Sequence, residues 1–153
     1  MIDLAYLDLA DPATAEAVLE LQRRAYRIEA ELIGSDGIPP LRETIEELQS
    51  CGETFLGALL DSEVAGAISW RFRENTIDIH RLVVEPDRFC RGVATALVRA
   101  ALAAEPNAKW VIVQTGAENE PATALYRREG FEHIDEIDVG DGLRVSRFVK
   151  HFR

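Results

Sequence analysis

The sequence predicts an α/β fold of the mixed, α+β kind: one mixed sheet with helices packed on it. Three observations carry that expectation. The middle of the chain holds three consecutive β-rich runs separated only by tight turns, as in antiparallel hairpins. The second half alternates strand-like and helix-like runs, as crossover connections do. The last two runs close on Gly140-Asp141-Gly142, a hairpin signal. A doubly wound nucleotide fold is disfavoured, because strands and helices do not alternate throughout.

The elements follow in order. Ile2, Leu4, Tyr6 and Asp8 alternate with their neighbours as on a first strand. Asp11-Pro12 reads as an N-cap followed by proline at the first helical position. Ala17, Leu21, Ala25, Ile28 and Leu32 then recur at helical spacing and form one apolar stripe. Gly34, Gly37 and Pro39-Pro40 end that helix, and Leu41, Ile45 and Leu48 suggest a short second one. Strands are expected at 54–60, 64–72 and 76–84, with turns at Asp61-Ser62-Glu63 and Glu74-Asn75. Pro86 stops the third of these strands. A loop, 87–92, leads into a helix over 93–104, and Pro106-Asn107 separates it from an apolar strand at 110–115. The loop 116–119 opens a helix over 120–129, with Gly130 as its C-terminal cap. Strands at 133–139 and 143–152 complete the order βααβββαβαββ.

At 153 residues, with 47% hydrophobic and 29% charged side chains, the chain has the composition of one soluble globular domain over 1–153. Two cysteines, Cys51 and Cys90, are too few for a disulfide framework and lack metal-ligand spacing, so reduced thiols in a cytoplasmic setting are expected, with no metal. No apolar run approaches the ~18 residues of a membrane span. The formal net charge of −10 lacks the basic face of a nucleic-acid binder. That charge is uneven. Residues 1–75 hold six basic and fifteen acidic side chains, a balance of −9, against −1 for the remainder. An acidic first half suits a cationic partner, and equally suits a solvated, solubilising surface.

Two segments carry chemistry. The first, 83–95, runs from a strand through a turn and a loop containing Gly92 into a helix. A helix N-terminus offers unpaired N–H groups and the positive end of a dipole, and the small residues Gly92 and Ala94 let an anion approach the backbone. Neither a nucleoside-triphosphate loop nor a dinucleotide fingerprint is present. A bare tight turn before an Ala-rich helix would also explain the segment. In the second, 119–131, Asn119, Ala122 or Thr123, and Tyr126 share one helix face. The same pattern is compatible with an Asn cap and a core tyrosine.

Together the two segments resemble the GNAT superfamily of acyl-CoA-dependent N-acyltransferases, whose element order the predicted order matches over essentially the whole chain. The family's pyrophosphate motif, Arg/Gln-x-x-Gly-x-Gly/Ala, is met by Gly92 and Ala94. Phe89 departs from it at the first position, with Arg88 one residue earlier. Asn119, Ala122, Leu125, Tyr126, Gly130 and Phe131 are similar to the family's second motif.

The resemblance implies a central splayed sheet flanked by helices, opening between 76–84 and 110–115. It implies a pantetheine arm of acetyl-CoA paired with Leu82, Val83 and Val84. The pyrophosphate would lie on N–H groups from Cys90 to Thr95, with Arg88 and Arg91 offsetting its charge. The cofactor-binding set is then Leu82, Val83, Val84, Arg88, Phe89, Cys90, Arg91, Gly92, Val93, Ala94, Thr95, Asn119, Ala122 and Tyr126. Asn119 would hydrogen-bond the pantetheine, and Tyr126 would protonate the departing thiolate. A tyrosine with an ordinary value near 10 is protonated at neutral pH and can donate. An alkylamine is almost wholly protonated at that pH and needs a base. Asp78 and His80 occupy positions where family members place a carboxylate or a histidine base. The period-2 rule puts Thr76, Asp78, His80, Leu82 and Val84 on one strand face unless a bulge intervenes. Histidine titrates near neutral pH, which favours it as a direct or water-relayed base.

The implied reaction is direct attack of a primary amine on the thioester in a ternary complex, with no covalent enzyme intermediate. Backbone N–H groups near the splay would hold the oxyanion. Neither Cys90 nor Cys51 is expected to act as a nucleophile. In this family the first two helices and their joining loop often line the acceptor cleft. Here that stretch contains Glu29, Glu31, Asp36, Glu43, Glu46, Glu47 and Glu53, which suits a small cationic amine, or a lysine or N-terminal amine of a peptide. A non-catalytic acyl-CoA-binding sensor of the same fold is the alternative, and pairing of the last strand across a homodimer is compatible with an exposed edge.

Overall fold

The computed structural model describes residues 2–33, 43–86, 92–140 and 142–152. Seven strands form one sheet in the order β1-β2-β3-β4-β5-β7-β6. The strands are β1 (Asp3–Tyr6), β2 (Thr54–Leu60), β3 (Glu63–Arg73), β4 (Thr76–Val84), β5 (Trp110–Gly116), β6 (Glu132–Gly140) and β7 (Leu143–His151). The helices are α1 (Pro12–Ile33), α2 (Ile45–Gln49), α3 (Val93–Ala104) and α4 (Glu120–Arg128). β1 to β4 pair antiparallel, β4 and β5 pair parallel, and β7 returns antiparallel between β5 and β6. The mixed sheet is the one expected, with element ends moved by a residue or two. Leu41 lies outside the described residues.

The hairpins form through two-residue turns. Asp61 and Ser62 between β2 and β3, and Glu74 and Asn75 between β3 and β4, all have φ between 51° and 67°. Positive φ at both central residues matches the right-handed twist of the flanking strands. Glu63 is therefore the first residue of β3 rather than the third of a turn.

Apolar side chains divide between the two faces of the sheet. On one face Leu56, Ile68, Trp70, Ile77, Ile79, Val111, Val113 and Phe148 pack against Val93, Leu97 and Val98 of α3 and Leu125 and Tyr126 of α4. On the other, Ala67 and Val83 meet Leu21, Ala25 and Tyr26 of α1, and Phe55 meets Leu9, Val18 and Leu48. The first helix departs from its predicted stripe. Ala17 and Ile28 are only partly buried, whereas Ala15, Val18, Gln22 and Tyr26 are buried. The side chain of Leu32 lies outside the described residues. A buried glutamine at position 22 breaks the apolar pattern because a charged group from β4 waits beneath it.

β4 contains a second departure. Opposite Ser69–Trp70 the register slips from Ser69↔Arg81 to Trp70↔Ile79, so His80 is an extra residue on β4. A bulge leaves one residue unopposed and reverses the side-chain alternation beyond it. Ile77, Ile79, Leu82 and Val84 consequently all face α3, while Arg81 and Val83 face α1. The expectation that Leu82 and Val84 share the face of Asp78 and His80 is corrected by this bulge.

Candidate functional site

The site begins where the sheet opens. β4 and β5 pair from Thr76↔Trp110 to Ile79↔Val113 and no further. β5 instead continues along β7 as far as Gly116↔Val145. The stretch from His80 to Val84 thus loses its β5 neighbour while keeping β3 on its other side, with Leu82↔Ile68, Val83↔Ala67 and Val84↔Gly66. Backbone groups on the splayed side are left for a ligand or water. A cleft of about 390 Å³ lies there, lined by Asp78, His80, Ile112, Gln114, Ile134 and Arg147, with Ile79, Val113 and Phe148 behind them. Arg147 is held at its wall by Asp135, 2.5 Å away.

α3 starts over the open end of β4. Gly92, its N-cap, has φ 74°, a left-handed conformation, and no side chain caps the helix. Among the described residues, a Cβ built on Gly92 meets nothing within 4 Å. The first intrahelical bond runs from Ala96 N–H to the Gly92 carbonyl at 3.0 Å. The N–H groups of Val93, Ala94 and Thr95 precede it, as in the first turn of any helix. Close docking places them. A Cβ on Gly66 of β3 would lie 2.7 Å from Val93 Cγ1, 3.1 Å from Leu97 Cδ1 and 3.2 Å from the Val83 carbonyl oxygen. Val93 is itself fully buried. Arg88, Phe89, Cys90 and Arg91 lie outside the described residues.

At the far side of the opening, Asn119 caps α4. Its side-chain carbonyl accepts the Ala122 N–H at 3.3 Å, which fixes the start of the helix. Its amide donates to Glu29 of α1, which also takes the backbone N–H of Gly116 at the end of β5. Burial pushes the Glu29 carboxyl above its usual range, and these two hydrogen bonds oppose that shift. The glutamate of α1 therefore reaches across the opening to the β5–α4 junction. Tyr126 follows on α4, buried, with its ring 5.4 Å from that of Phe131 and 5.7 Å from that of Phe148. Burial, reinforced by the nearby Glu29 charge, drives the Tyr126 hydroxyl well above its ordinary value, so it holds its proton throughout the neutral range.

Asp78 and His80 do come together. Their Oδ2 and Nε2 atoms are 3.2 Å apart. The other ring nitrogen, Nδ1, lies 3.5 Å from Oε2 of Glu53. Glu53 precedes β2 after Gly52, whose φ of 74° turns the chain out of α2 toward the sheet. The Glu53 carboxylate accepts from Ser69 Oγ at 2.6 Å and from Arg81 Nε at 2.9 Å. Arg81 is buried and also donates to Glu43 through both terminal nitrogens, to Gln22 Oε1 at 3.1 Å and to Glu53 Oε2 at 3.3 Å. Five N–H donors thus meet five acceptors. Desolvation pushes the Glu53 carboxyl up, but hydrogen bonds from Arg81 and Ser69 and the charges of Arg81 and His80 outweigh it and hold the group below the usual range.

Sequence reasoning missed Arg81, Gln22 and Ser69 as parts of the site and treated Glu43 and Glu53 only as charges facing an acceptor. One signal was available: an arginine within a β-branched strand, where a buried cation needs partners. Of the seven acidic residues assigned to an acceptor cleft, Glu43 and Glu53 bind Arg81, Glu29 binds Asn119, and Glu47 closes a capping box with Thr44. Asp36 lies outside the described residues. Burial, the largest influence on Cys51, raises its thiol, which leaves less thiolate. Among the described residues no helix is long and apolar enough to cross a membrane.

The comparisons with known proteins agree with this geometry. The model of the Acetyltransferase (GNAT) family matches residues 15–131. The chain is 33% identical over 145 residues to the UPF0157 protein YqkA of Bacillus subtilis (strain 168), covering 95% of this chain but 42% of that protein's length. An acetyltransferase from Thermus thermophilus superposes with a TM-score of 0.78 at 18% identity, covering 99% of this chain and 97% of that one. The PaiA N-acetyltransferase of Thermoplasma acidophilum, in complex with coenzyme A, superposes with a TM-score of 0.73 at 19% identity, covering 99% of both chains. These last two likenesses establish the fold. With a sheet splayed at β4–β5, a glycine-started helix above it and a family match over three quarters of its residues, the chain belongs to the GNAT acetyltransferase family.

Proposed function

We propose that residues 1–153 act as one N-acetyltransferase domain that transfers an acetyl group from acetyl-CoA to a primary amine, through a ternary complex. The observation that carries the reading is the end of the β4–β5 ladder at Ile79↔Val113, which leaves the rest of β4 open as far as Val84, where Val93 of α3 packs on Gly66 behind the left-handed Gly92. The residues present fit the cofactor. The edge of Leu82, Val83 and Val84 facing away from β3 can pair with an amide-bearing arm. The N–H groups of Val93, Ala94 and Thr95, in the first turn after Gly92, suit a pyrophosphate. Asn119 would exchange its bond to Glu29 for one to the arm, with Ala122 beneath it. Arg88, Phe89, Cys90 and Arg91 complete the cradle in this reading.

Acetyl-CoA, when bound, supplies the activated carbonyl and the sulfur leaving group. His80 takes a proton from the acceptor amine, and Asp78, half exposed beside it, receives the ammonium before that step. Tyr126, neutral by burial, gives its phenolic proton to the departing sulfur. Side chains of the chain form no covalent bond in this scheme, in keeping with the raised Cys51 thiol. A cationic acceptor, small or peptidic, is favoured by the carboxylate of Asp78 in the cleft and by the acidic first half of the sequence. A cytoplasmic setting and a homodimer remain part of this proposal, but not by pairing of the last strand as expected: β7 lies between β5 and β6 and has no free edge.

Calorimetric titration with acetyl-CoA, with ATP and NAD as controls, tests the cradle. Thiol release with a panel of cationic and neutral amines tests the transfer. Tyr126→Phe should keep the affinity for acetyl-CoA and lose roughly 10²-fold or more of turnover, the scale of general acid catalysis. Unchanged turnover would remove Tyr126 from the mechanism. Selective binding without any turnover would favour a sensor of acyl-CoA instead.

A further inference from the structure

Glu53 sits behind the base in a position that the transfer scheme leaves without a task. Its side chain is 5% exposed and is held from two directions, by Ser69 of β3 and Arg81 of β4, so it cannot turn away. Among the described residues one cation, Arg81, stands against two carboxylates, Glu43 and Glu53. The cluster therefore keeps one negative charge in excess, and it is presented to His80 Nδ1 at 3.5 Å. We infer that Glu53 is the positioning carboxylate of the base: it faces the N–H at Nδ1 of His80 and leaves Nε2, on the cleft side beside Asp78, to take the acceptor's proton. This rests on the reading of His80 as the base.

A neutral imidazole has one N–H, and two carboxylates compete for it. Asp78 is nearer, in hydrogen-bond contact with Nε2 at 3.2 Å, but its side chain is 48% exposed, so water or the acceptor's ammonium takes its place between the Asp78 oxygen and an unprotonated Nε2. Glu53 is buried, and a charge in low dielectric acts on its neighbour with far less screening. The other charges around the ring are consistent with this. Arg81 and Glu43 neutralise each other on the far side of Glu53, and Arg147, across the cleft on β7, is paired with Asp135. The step balances simply. An N–H bond of the acceptor breaks and Nε2–H forms, while the Nδ1 proton stays on the ring. Glu53 does not become protonated, because Arg81 and Ser69 favour its ionised form. The imidazolium so formed lies between two carboxylates, the arrangement that stabilises it.

The test compares wild type with Glu53→Gln and Glu53→Asp, using acetyl-CoA with spermidine and with a short peptide carrying a free N-terminus. Turnover is read by thiol release over about pH 5.5 to 9.5, and acetyl-CoA affinity by calorimetry. Glu53→Gln should lower kcat about tenfold or more and move the acid limb of kcat/KM down by ~1 pH unit, as loss of a neighbouring opposite charge does. Acetyl-CoA affinity should stay within about twofold, and Glu53→Asp should recover part of the loss. An unmoved acid limb, or a loss confined to KM, would overturn the inference. The second measurement needs only folded wild type: the tautomer of the His80 ring from its nitrogen chemical shifts, assigned with His80→Gln. Protonation at Nδ1 in the neutral ring is expected, and protonation at Nε2 would refute it. If wild type turns over no amine, the base reading fails, whereas the tautomer still decides the contact with Glu53.

Discussion

Arg81→Met is the most informative perturbation of the fold beneath the site. The methionine retains most of the apolar stem, so the change isolates the guanidinium. That group satisfies Glu53, Glu43 and Gln22 and lies 5.6 Å from the Phe55 ring centroid. Without it, two carboxylates of 5% and 14% exposure lose their guanidinium partner. Removing one partner of a buried ion pair costs about 3–5 kcal/mol, because the other charge remains desolvated. The lost cation–π contact adds roughly 0.5–2 kcal/mol. Against a total stability of about 5–15 kcal/mol, this is a large fraction. It corresponds to a fall in melting temperature of about 7–28 °C for a chain of this size. Urea denaturation at pH 7 and near pH 4 would measure it. The cost should shrink at the lower pH, since orphaned carboxyls protonate, and adding Glu43→Gln should return part of it. A loss below ~1 kcal/mol at pH 7, or the same loss at both pH values, would show that water already solvates these carboxylates and would refute the account of a buried network.

Other outcomes follow from the same packing. Gly66→Ala places a Cβ 2.7 Å from Val93, with the Val83 carbonyl behind it, so α3 must shift. A cost of about 1–3 kcal/mol and several-fold weaker acetyl-CoA binding by calorimetry are expected. The depressed carboxyl of Glu53 makes stability depend on pH in a definite sense. Its contribution is complete above the ordinary glutamate value of about 4.3 and is lost as pH falls below that value through the folded one. Denaturation midpoints taken downward from neutral pH should fall more steeply for wild type than for Glu53→Gln.

Much of this protein was legible from residue order alone. Apolar periodicity, proline and glycine punctuation and two-residue turns are local properties, and they sufficed for the mixed sheet and its element order. The two family motifs at Gly92–Ala94 and Asn119–Phe131 marked the starts of α3 and α4, because a helix start is written in adjacent residues. Tertiary structure decided what depends on residues far apart in sequence. The bulge at His80 arises from the pairing of β3 with β4, and it alone determines that Leu82 and Val84 turn away from Asp78 and His80. Arg81 reads as one more charged residue until α1, the segment before α2 and the start of β2 bring Gln22, Glu43 and Glu53 around it. Glu29 likewise meets Asn119 only because α1 crosses the opened sheet. A buried charge is tolerated only with partners. The sequence can name the charges, but the partners are chosen by how the strands and helices pack.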